Sequence, residues 1–140
     1  MSFAMSGPLQ AAVYAALIAD PALSAIVGSA VYDAVPSGAL PAIYVRLGSE
    51  TVSDASDGTG AGAVHRFTVS VLSTEPGFAQ AKLAAGAISD VLHNGALTLS
   101  RGRLVSLRFE RAKAQRIEGE AHRQIDLRFA ARVQDDEISV

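Results

Sequence analysis

Four segments of this sequence alternate apolar and polar residues, and this pattern constrains the fold more than any other feature. A period of two is typical of β-strands that bury one face. In all four segments the apolar residues fall at odd positions, so their faces can share one core. They are Ile43, Val45 and Leu47; Phe67, Val69 and Val71; Val105, Leu107 and Phe109; and Ile125, Leu127 and Phe129. The sequence therefore predicts a mainly antiparallel sheet of about four strands with one covered face.

Two segments with apolar residues at helical spacing are available to cover that face. The first spans about residues 8–17, and Asp20-Pro21 interrupts it because the residue before a proline is pushed out of helical geometry. The second spans about residues 78–92, and a further short turn is predicted at residues 22–27. The expected fold class is thus α+β, with two helices packed on one face of the sheet.

The length of 140 residues suits one domain with its own core. We expect a single domain over residues 1–140, centred on a strand, turn, helix and strand at residues 65–99. Residues 48–63 are rich in Gly, Ser and Asp and are interpreted as a long flexible loop. Residues 134–140 are interpreted as an acidic C-terminal tail.

The shared odd phase restricts how the last two strands can pair. Directly opposed residues must both be odd or both be even, so the turn holds an odd number of residues or a β-bulge corrects the register. Setting Arg108 opposite Arg128 would place like charges together. We therefore predict either Glu110 opposite Arg128 or Arg108 opposite Asp126.

Charge is unevenly distributed along the chain, although the net charge is only −2. Residues 1–100 hold three cations and seven carboxylates, whereas residues 101–133 hold nine cations and four carboxylates. The near-neutral total argues against a general nucleic-acid-binding protein. The uneven placement has two interpretations, namely solvated strand faces or attraction between copies of the chain.

No motif of the sequence indicates catalysis or a cofactor. The chain has no cysteine, its three histidines are far apart, and no Gly-x-Ser-x-Gly elbow is present. The glycine-rich residues 58–62 precede a strand and lack the Lys-Ser/Thr of a P-loop. The acidic residues 50–57 do not have EF-hand spacing. We expect no enzyme, no metal, no cofactor, and neither a membrane helix nor a signal peptide.

Most of the chain, from about residue 8 to 133, consists of segments whose order and spacing carry a family resemblance. They are Asp20-Pro21-Ala22-Leu23, Val31-Tyr32-Asp33-Ala34-Val35-Pro36, Pro41-Ala42-Ile43-Tyr44-Val45, His65-Arg66-Phe67-Thr68-Val69-Ser70-Val71, Ile88-Ser89-Asp90-Val91-Leu92-His93, Leu97-Thr98-Leu99 and Leu104-Val105-Ser106-Leu107-Arg108-Phe109-Glu110. Together they resemble small tailed-phage tail-completion or tail-terminator proteins, which are similar to the lambda-type minor tail protein U and also occur in prophages and gene transfer agents. One departure is Leu72, where the family usually has a larger aromatic residue.

The resemblance implies a structural virion protein, assembled in the bacterial cytoplasm and located at the head-proximal end of a tail. It implies a ring of copies, expected to be a hexamer, that caps the tail tube and stops its polymerisation. The partners would be the tail tube protein and the head–tail connector or neck protein, and DNA would only pass through the lumen. The alternative is a small non-enzymatic protein-binding module, either monomeric or dimeric.

The surfaces expected to make these contacts are the 48–63 segment and the basic hairpin at residues 111–123. Both are long and polar, and the predicted core does not account for them. The candidate interface residues are Arg46, Glu50, Asp54, Asp57, Arg66, Arg108, Arg111, Arg116, Arg128 and Arg132.

Overall fold

The computed structural model describes residues 3–56, 61–117 and 122–136, which form three helices and five strands. The helices are α1 (Ser6–Ala19), α2 (Pro21–Val27) and α3 (Ala79–Leu92). The strands are β1 (Val31–Tyr32), β2 (Ile43–Asp54), β3 (Gly62–Ser73), β4 (Arg103–Arg116) and β5 (Arg123–Gln134).

The five strands form one mixed sheet in the order β1-β2-β3-β5-β4. Strand β1 is parallel to β2, and the other three pairings are antiparallel. The predicted α+β class with a mainly antiparallel sheet is confirmed. The structure adds β1 to the four strands of the predicted sheet and forms α2 where a short turn was predicted. The strand predicted at the end of residues 65–99 is not formed, since residues 93–102 contain no strand.

The core lies between the helices and one face of the sheet, and Phe129 of β5 is at its centre. This ring is fully buried, 5.6 Å from the Phe67 ring and 5.9 Å from the Phe109 ring. Burial of such a side chain contributes about 1.5–3 kcal/mol. The odd phase holds throughout β5, but in β4 it is incomplete, since Val105 is 44% exposed and Phe109 is 38% exposed. Val105 is the residue at which the pairing of β4 with β5 shifts, and Phe109 lies on the edge strand, where fewer side chains surround it.

Helices α1 and α2 are separated at Asp20, as the Asp20-Pro21 sequence predicts. Asp20 is extended, with ψ 119°, and its carboxylate accepts a hydrogen bond of 2.9 Å from the Leu23 amide at the start of α2. This is a helix N-cap followed by proline in the first turn. None of the helices in the described ranges is long and apolar enough to cross a membrane alone; α1 and α2 reach that size only as a pair bent by 78°.

A second, smaller core covers one end of the opposite sheet face. Leu72 is buried there with Ala30 and Tyr44, and the rings of Tyr32 and Tyr44 lie 5.8 Å apart. The segment that connects α2 with β2 thus supplies Ala30 and Tyr32 to this cluster. Leu72 is buried in this cluster, although the family resemblance predicts a larger aromatic residue at this position.

The interpretation of residues 48–63 as one long loop is wrong, because β2 extends to Asp54 and β3 begins at Gly62. The register of β2 against β3 shifts between Leu47 and Glu50, which places a β-bulge at residues 48–49. A bulge inserts an extra residue and reverses the phase of alternation. Beyond it the even-numbered Val52 lies opposite His65, so a fixed odd phase misses this half of the strand.

The predicted pairing of the last two strands is also wrong in its register. Arg108 lies opposite Ala130, and Arg111 lies opposite Arg128, so neither predicted pairing occurs. A bulge does correct the register, as expected, because the pairing shifts between Leu104 and Ser106 and again between Phe109 and Arg111. The second bulge is at Glu110.

Candidate interaction surface

The sheet face opposite the helices carries most of the predicted interface residues, and we call it the open face. The strand register alternates side chains between the two faces, so the even positions of β5 and their neighbours point away from the helices. Eight cations and two carboxylates lie there, an excess of six positive charges on a chain whose net charge is −2. The charged residues of the open face are Arg46, Arg66, Arg103, Arg108, Arg111, Lys113, Arg128, Arg132, Glu110 and Asp126.

Six of the ten predicted interface residues are therefore brought together. They are Arg46, Arg66, Arg108, Arg111, Arg128 and Arg132. Sequence reasoning missed two cations of this face, Arg103 opposite Gln134 and Lys113 opposite Asp126. The signal that would have found Lys113 is the change of phase after the bulge at Glu110, because the bulge moves odd-numbered residues of β4 to the open face.

Both carboxylates of the open face already have partners. Glu110 Oε1 lies 3.3 Å from Arg66 Nε and 3.5 Å from Arg128 Nε, so one carboxylate is shared by two guanidinium groups. Asp126 Oδ1 accepts hydrogen bonds from Ser70 Oγ at 2.5 Å and from Gln124 Nε2 at 2.8 Å.

Several of the remaining cations of this face are not neutralised by a carboxylate in the described ranges. Within the described ranges, no ion pair involves Arg46, Arg111 or Lys113. A depression of about 330 Å³ opens between them and is also lined by Asp126 and Arg128. Guanidinium and ammonium groups form strong charge-assisted hydrogen bonds with carboxylates and phosphates. This surface is thus suited to an acidic partner.

Glu50 lies on the helix-side face instead, in a small polar cluster. Its carboxylate accepts a hydrogen bond of 2.5 Å from Ser6 Oγ and lies 3.6 Å from Nδ1 of His65. His65 is fully buried beneath the Phe3 ring, and the ring centroids are 6.5 Å apart. Glu50 therefore ties β2 to the start of α1, which the loop interpretation could not anticipate.

The other predicted residues lie near the two hairpins. Asp54 is exposed, and hydrogen bonds from the Ser56 hydroxyl and amide, at 2.6 and 3.1 Å, hold the pKa of its carboxyl below its usual range. Arg116 ends β4 opposite Arg123, with its side chain on the helix side of the sheet by register. Asp57 lies outside the described residues.

In the ranges 3–56, 61–117 and 122–136, no three His, Asp or Glu residues are grouped so that they could hold a metal ion. His93 caps the C-terminus of α3, as its position after the helical run suggests, and its Nδ1 accepts a hydrogen bond of 3.0 Å from the Phe109 amide. The described residues therefore provide a charged sheet surface that can bind a partner of opposite charge.

Comparison with known proteins assigns this chain to a family. A family model described as "Tail completion protein gp17" matches residues 11–134. The match defines the class, which is that of structural phage tail proteins. The chain belongs to the tail completion protein gp17 family, so the expected family resemblance is confirmed. This family of structural tail proteins gives no support for an enzymatic activity.

A solved structure agrees with this assignment. One chain of a structure described as "Virion of native gene transfer agent (GTA) particle" is 60% identical, with a TM-score of 0.90. The alignment covers 95% of this chain and 99% of that chain. A comparison with curated protein sequences returned no match.

Proposed function

We propose that this protein is the tail terminator of a phage-like particle. In this role a ring of copies, expected to be a hexamer, caps the head-proximal end of the tail tube and joins it to the head connector. The observation that carries the proposal is the likeness, along nearly the whole chain, to a gene transfer agent virion chain at 60% identity. Membership of a tail completion family supports the same role.

The mechanism of such a terminator is geometric. A contact between two different surfaces of neighbouring copies closes into a ring when the rotation per copy divides a full turn. One ring face must match the last tube subunit, while the other must reject a further tube subunit. The antiparallel core of β3 and β5, with Val69, Val71 and Phe129 all fully buried, is rigid enough to hold these surfaces at fixed angles.

The open face is proposed to make one of the contacts, with acidic groups of another copy, of the tube protein or of the connector protein. The support is the excess of positive charge and the lack of ion pairs of Arg46, Arg111 and Lys113 within the described ranges. Charge complementarity of this kind steers association and fixes orientation. DNA is proposed to pass through the lumen of the ring without a specific contact.

The test of the function is particle assembly without this protein. We expect heads without joined tails and tubes of irregular length, both corrected when the protein is supplied. Tubes of normal length that are joined normally to heads in its absence would overturn the proposal. A purified protein that stays monomeric and ignores tail tubes would instead favour the binding-module alternative.

The contribution of the open face is tested separately with one charge reversal. Arg46→Glu is expected to reduce the yield of joined particles about tenfold, the effect of 1.4 kcal/mol in an association step. Lys82→Glu is the control, since Lys82 is an exposed cation of α3, which packs on the other face of the sheet. Equal yields from the two variants would argue against the open face as a contact surface.

A further inference from the structure

One edge of the sheet is only half covered. In the part of the chain that the structure describes, strand β4 pairs with β5 alone, and the connection after α3 caps its first half. There the Asn94 amide donates to the Leu107 carbonyl at 2.8 Å, and the Phe109 amide donates to His93 Nδ1 at 3.0 Å. No corresponding bond to residues 111–116 is found within the described ranges. This second half is an open strand edge.

The direction of the free backbone groups follows from the hairpin. The Ile117 amide donates to the His122 carbonyl at 3.0 Å, and hydrogen-bonded pairs recur every two residues in an antiparallel ladder. Residues 111, 113 and 115 therefore bond to β5, whereas Ala112, Ala114 and Arg116 direct their amide and carbonyl groups away from the sheet. The small, exposed side chains of the two alanines leave room for another strand.

The opposite edge of the sheet has an equivalent free segment. Among the described residues, the pairing of β1 with β2 is limited to Val45 and Arg46. After the bulge, residues 50–54 pair with β3 on one side, and the Ala55 amide bonds to the Gly62 carbonyl at 2.9 Å. The same two-residue rule directs the backbone groups of residues 50, 52 and 54 outwards. Uncovered edges of this kind favour pairing with another chain.

The two free segments are compatible in charge and direction. On the helix side, residues 111–116 carry Arg116, whereas residues 50–54 carry Glu50 and Asp54. On the open face, Arg111 and Lys113 would lie beside the neutral Thr51 and Ser53. Pairing of β4 with β4 would set cations against cations, which is unfavourable. Because β2, β3, β5 and β4 alternate in direction, β4 of one copy would run antiparallel to β2 of the next copy if the sheet continued.

We propose that residues 111–116 of one copy pair with residues 50–54 of the next, so that one sheet continues from copy to copy. This deepens the proposed function, on which it rests, because it names the contact that closes the ring. Through β5, residues 111–116 are level with residues 68–73 of β3, whereas residues 50–54 are level with residues 63–67. Neighbouring copies are then offset by about five to six residues, or roughly 18 Å. Such a stagger tilts every strand relative to the ring axis.

The absence of cysteine from the chain allows a direct test by disulfide formation. Lys113→Cys is combined in one chain with Thr51→Cys or with Ser53→Cys, which cover two neighbouring registers on the open face. Cross-strand pairs have the Cα separation of 4.4–6.8 Å that a disulfide requires. In particles assembled from one of these variants, we expect oxidation to give a ladder of covalent multimers. The control pairs Lys113→Cys with Leu83→Cys, an exposed residue of α3.

The outcomes separate this inference from the proposed function. If tails join normally but neither cysteine pair cross-links beyond the Leu83→Cys control, edge pairing is overturned while the terminator role stands. If tubes end and join without this protein, the terminator role itself fails. Cross-linking confined to dimers would indicate a two-fold contact and would also overturn the inference.

A charge exchange gives a second, independent test. One variant carries Lys113→Glu and Arg116→Glu, and the other carries Thr51→Lys and Asp54→Lys; Glu50 is kept because it bonds to Ser6. Each variant alone sets like charges across the contact and is expected to assemble at least tenfold less than wild type. An equimolar mixture restores opposite charges at every contact, so assembly should recover. A mixture no better than its components, or single variants as competent as wild type, would refute the pairing.

Discussion

The carboxylate of Glu110 is the point at which the charge balance of the open face can be measured most directly. Glu110→Gln keeps the size of the side chain but removes the charge that Arg66 and Arg128 share. Arg111, which lies directly opposite Arg128, then faces another cation with no carboxylate beside it. We expect the variant to fold and to be less stable.

The size of the loss follows from the distances. At 3.3 and 3.5 Å, each ion pair is worth about 1.2 kcal/mol at the dielectric constant of water. The Arg66 and Arg128 side chains are 36% and 40% exposed, so ordering the long side chains offsets part of this energy. Exposed pairs typically contribute about 0.2–1 kcal/mol each. The expected loss in the free energy of unfolding is therefore about 0.4–2 kcal/mol.

Urea unfolding of both proteins in 20 mM and 1 M salt tests this reasoning. At about 1 M salt, charges are screened within roughly 3 Å, so the difference should fall to less than half. Asp90→Asn on α3 is the control, since Asp90 is exposed and should change stability by less than about 0.5 kcal/mol. A loss that does not change with salt, or no loss at low salt, would show that Glu110 does not balance the open face.

Two further predictions concern the fold itself. A Cβ at Gly102 would lie 2.3 Å from the Gln134 carbonyl at φ +64°, so Gly102→Ala should cost about 2–4 kcal/mol in thermal unfolding. Gly86→Ala in α3 meets nothing within 4 Å and should stabilise by about 0.5–1 kcal/mol; equal effects at both sites would contradict this account. The hydrogen bonds from Arg101 hold the pKa of Asp135 below its usual range, so its stabilising contribution is present above pH ~4 and is lost as the pH falls through the lowered pKa. Asp135→Asn should therefore be less stable than wild type at pH 7, and the difference should shrink as the pH is lowered, by urea unfolding at a series of pH values; a difference that does not change with pH would sink the assignment.

Much of the fold follows from local patterns in the sequence. The alternation around Phe67 and Leu127 identifies the central strands, and Asp20-Pro21 marks the end of α1, because both signals depend only on neighbouring residues. The collection of arginines on one face follows from the same alternation. What the pattern cannot supply is the phase after a bulge, since residues 48–49 and Glu110 each add one residue that only the pairing partner reveals.

The same limit explains the errors at the candidate site. Glu50 reads as a polar loop residue, yet tertiary contacts with Ser6 and His65 place it on the helix side. By the odd phase alone, Lys113 would lie on the helix side of the sheet, but the bulge at Glu110 places it on the open face. The register of β4 against β5 likewise depends on two bulges. Charge pairing alone therefore predicts correctly that Glu110 contacts Arg128, but it is wrong to place the two residues directly opposite each other.

The position of β5 in the sheet has a consequence for synthesis. Strand β5 is the last strand in chain order, yet it lies between β3 and β4. A nascent chain that has emerged only as far as Arg116 therefore has β4 with no neighbour in the sheet and β3 with one side bare. The sheet cannot be completed, and β4 cannot become an edge, until β5 leaves the ribosome. Folding of the sheet is thereby coupled to the synthesis of β5, the strand that joins β3 to β4.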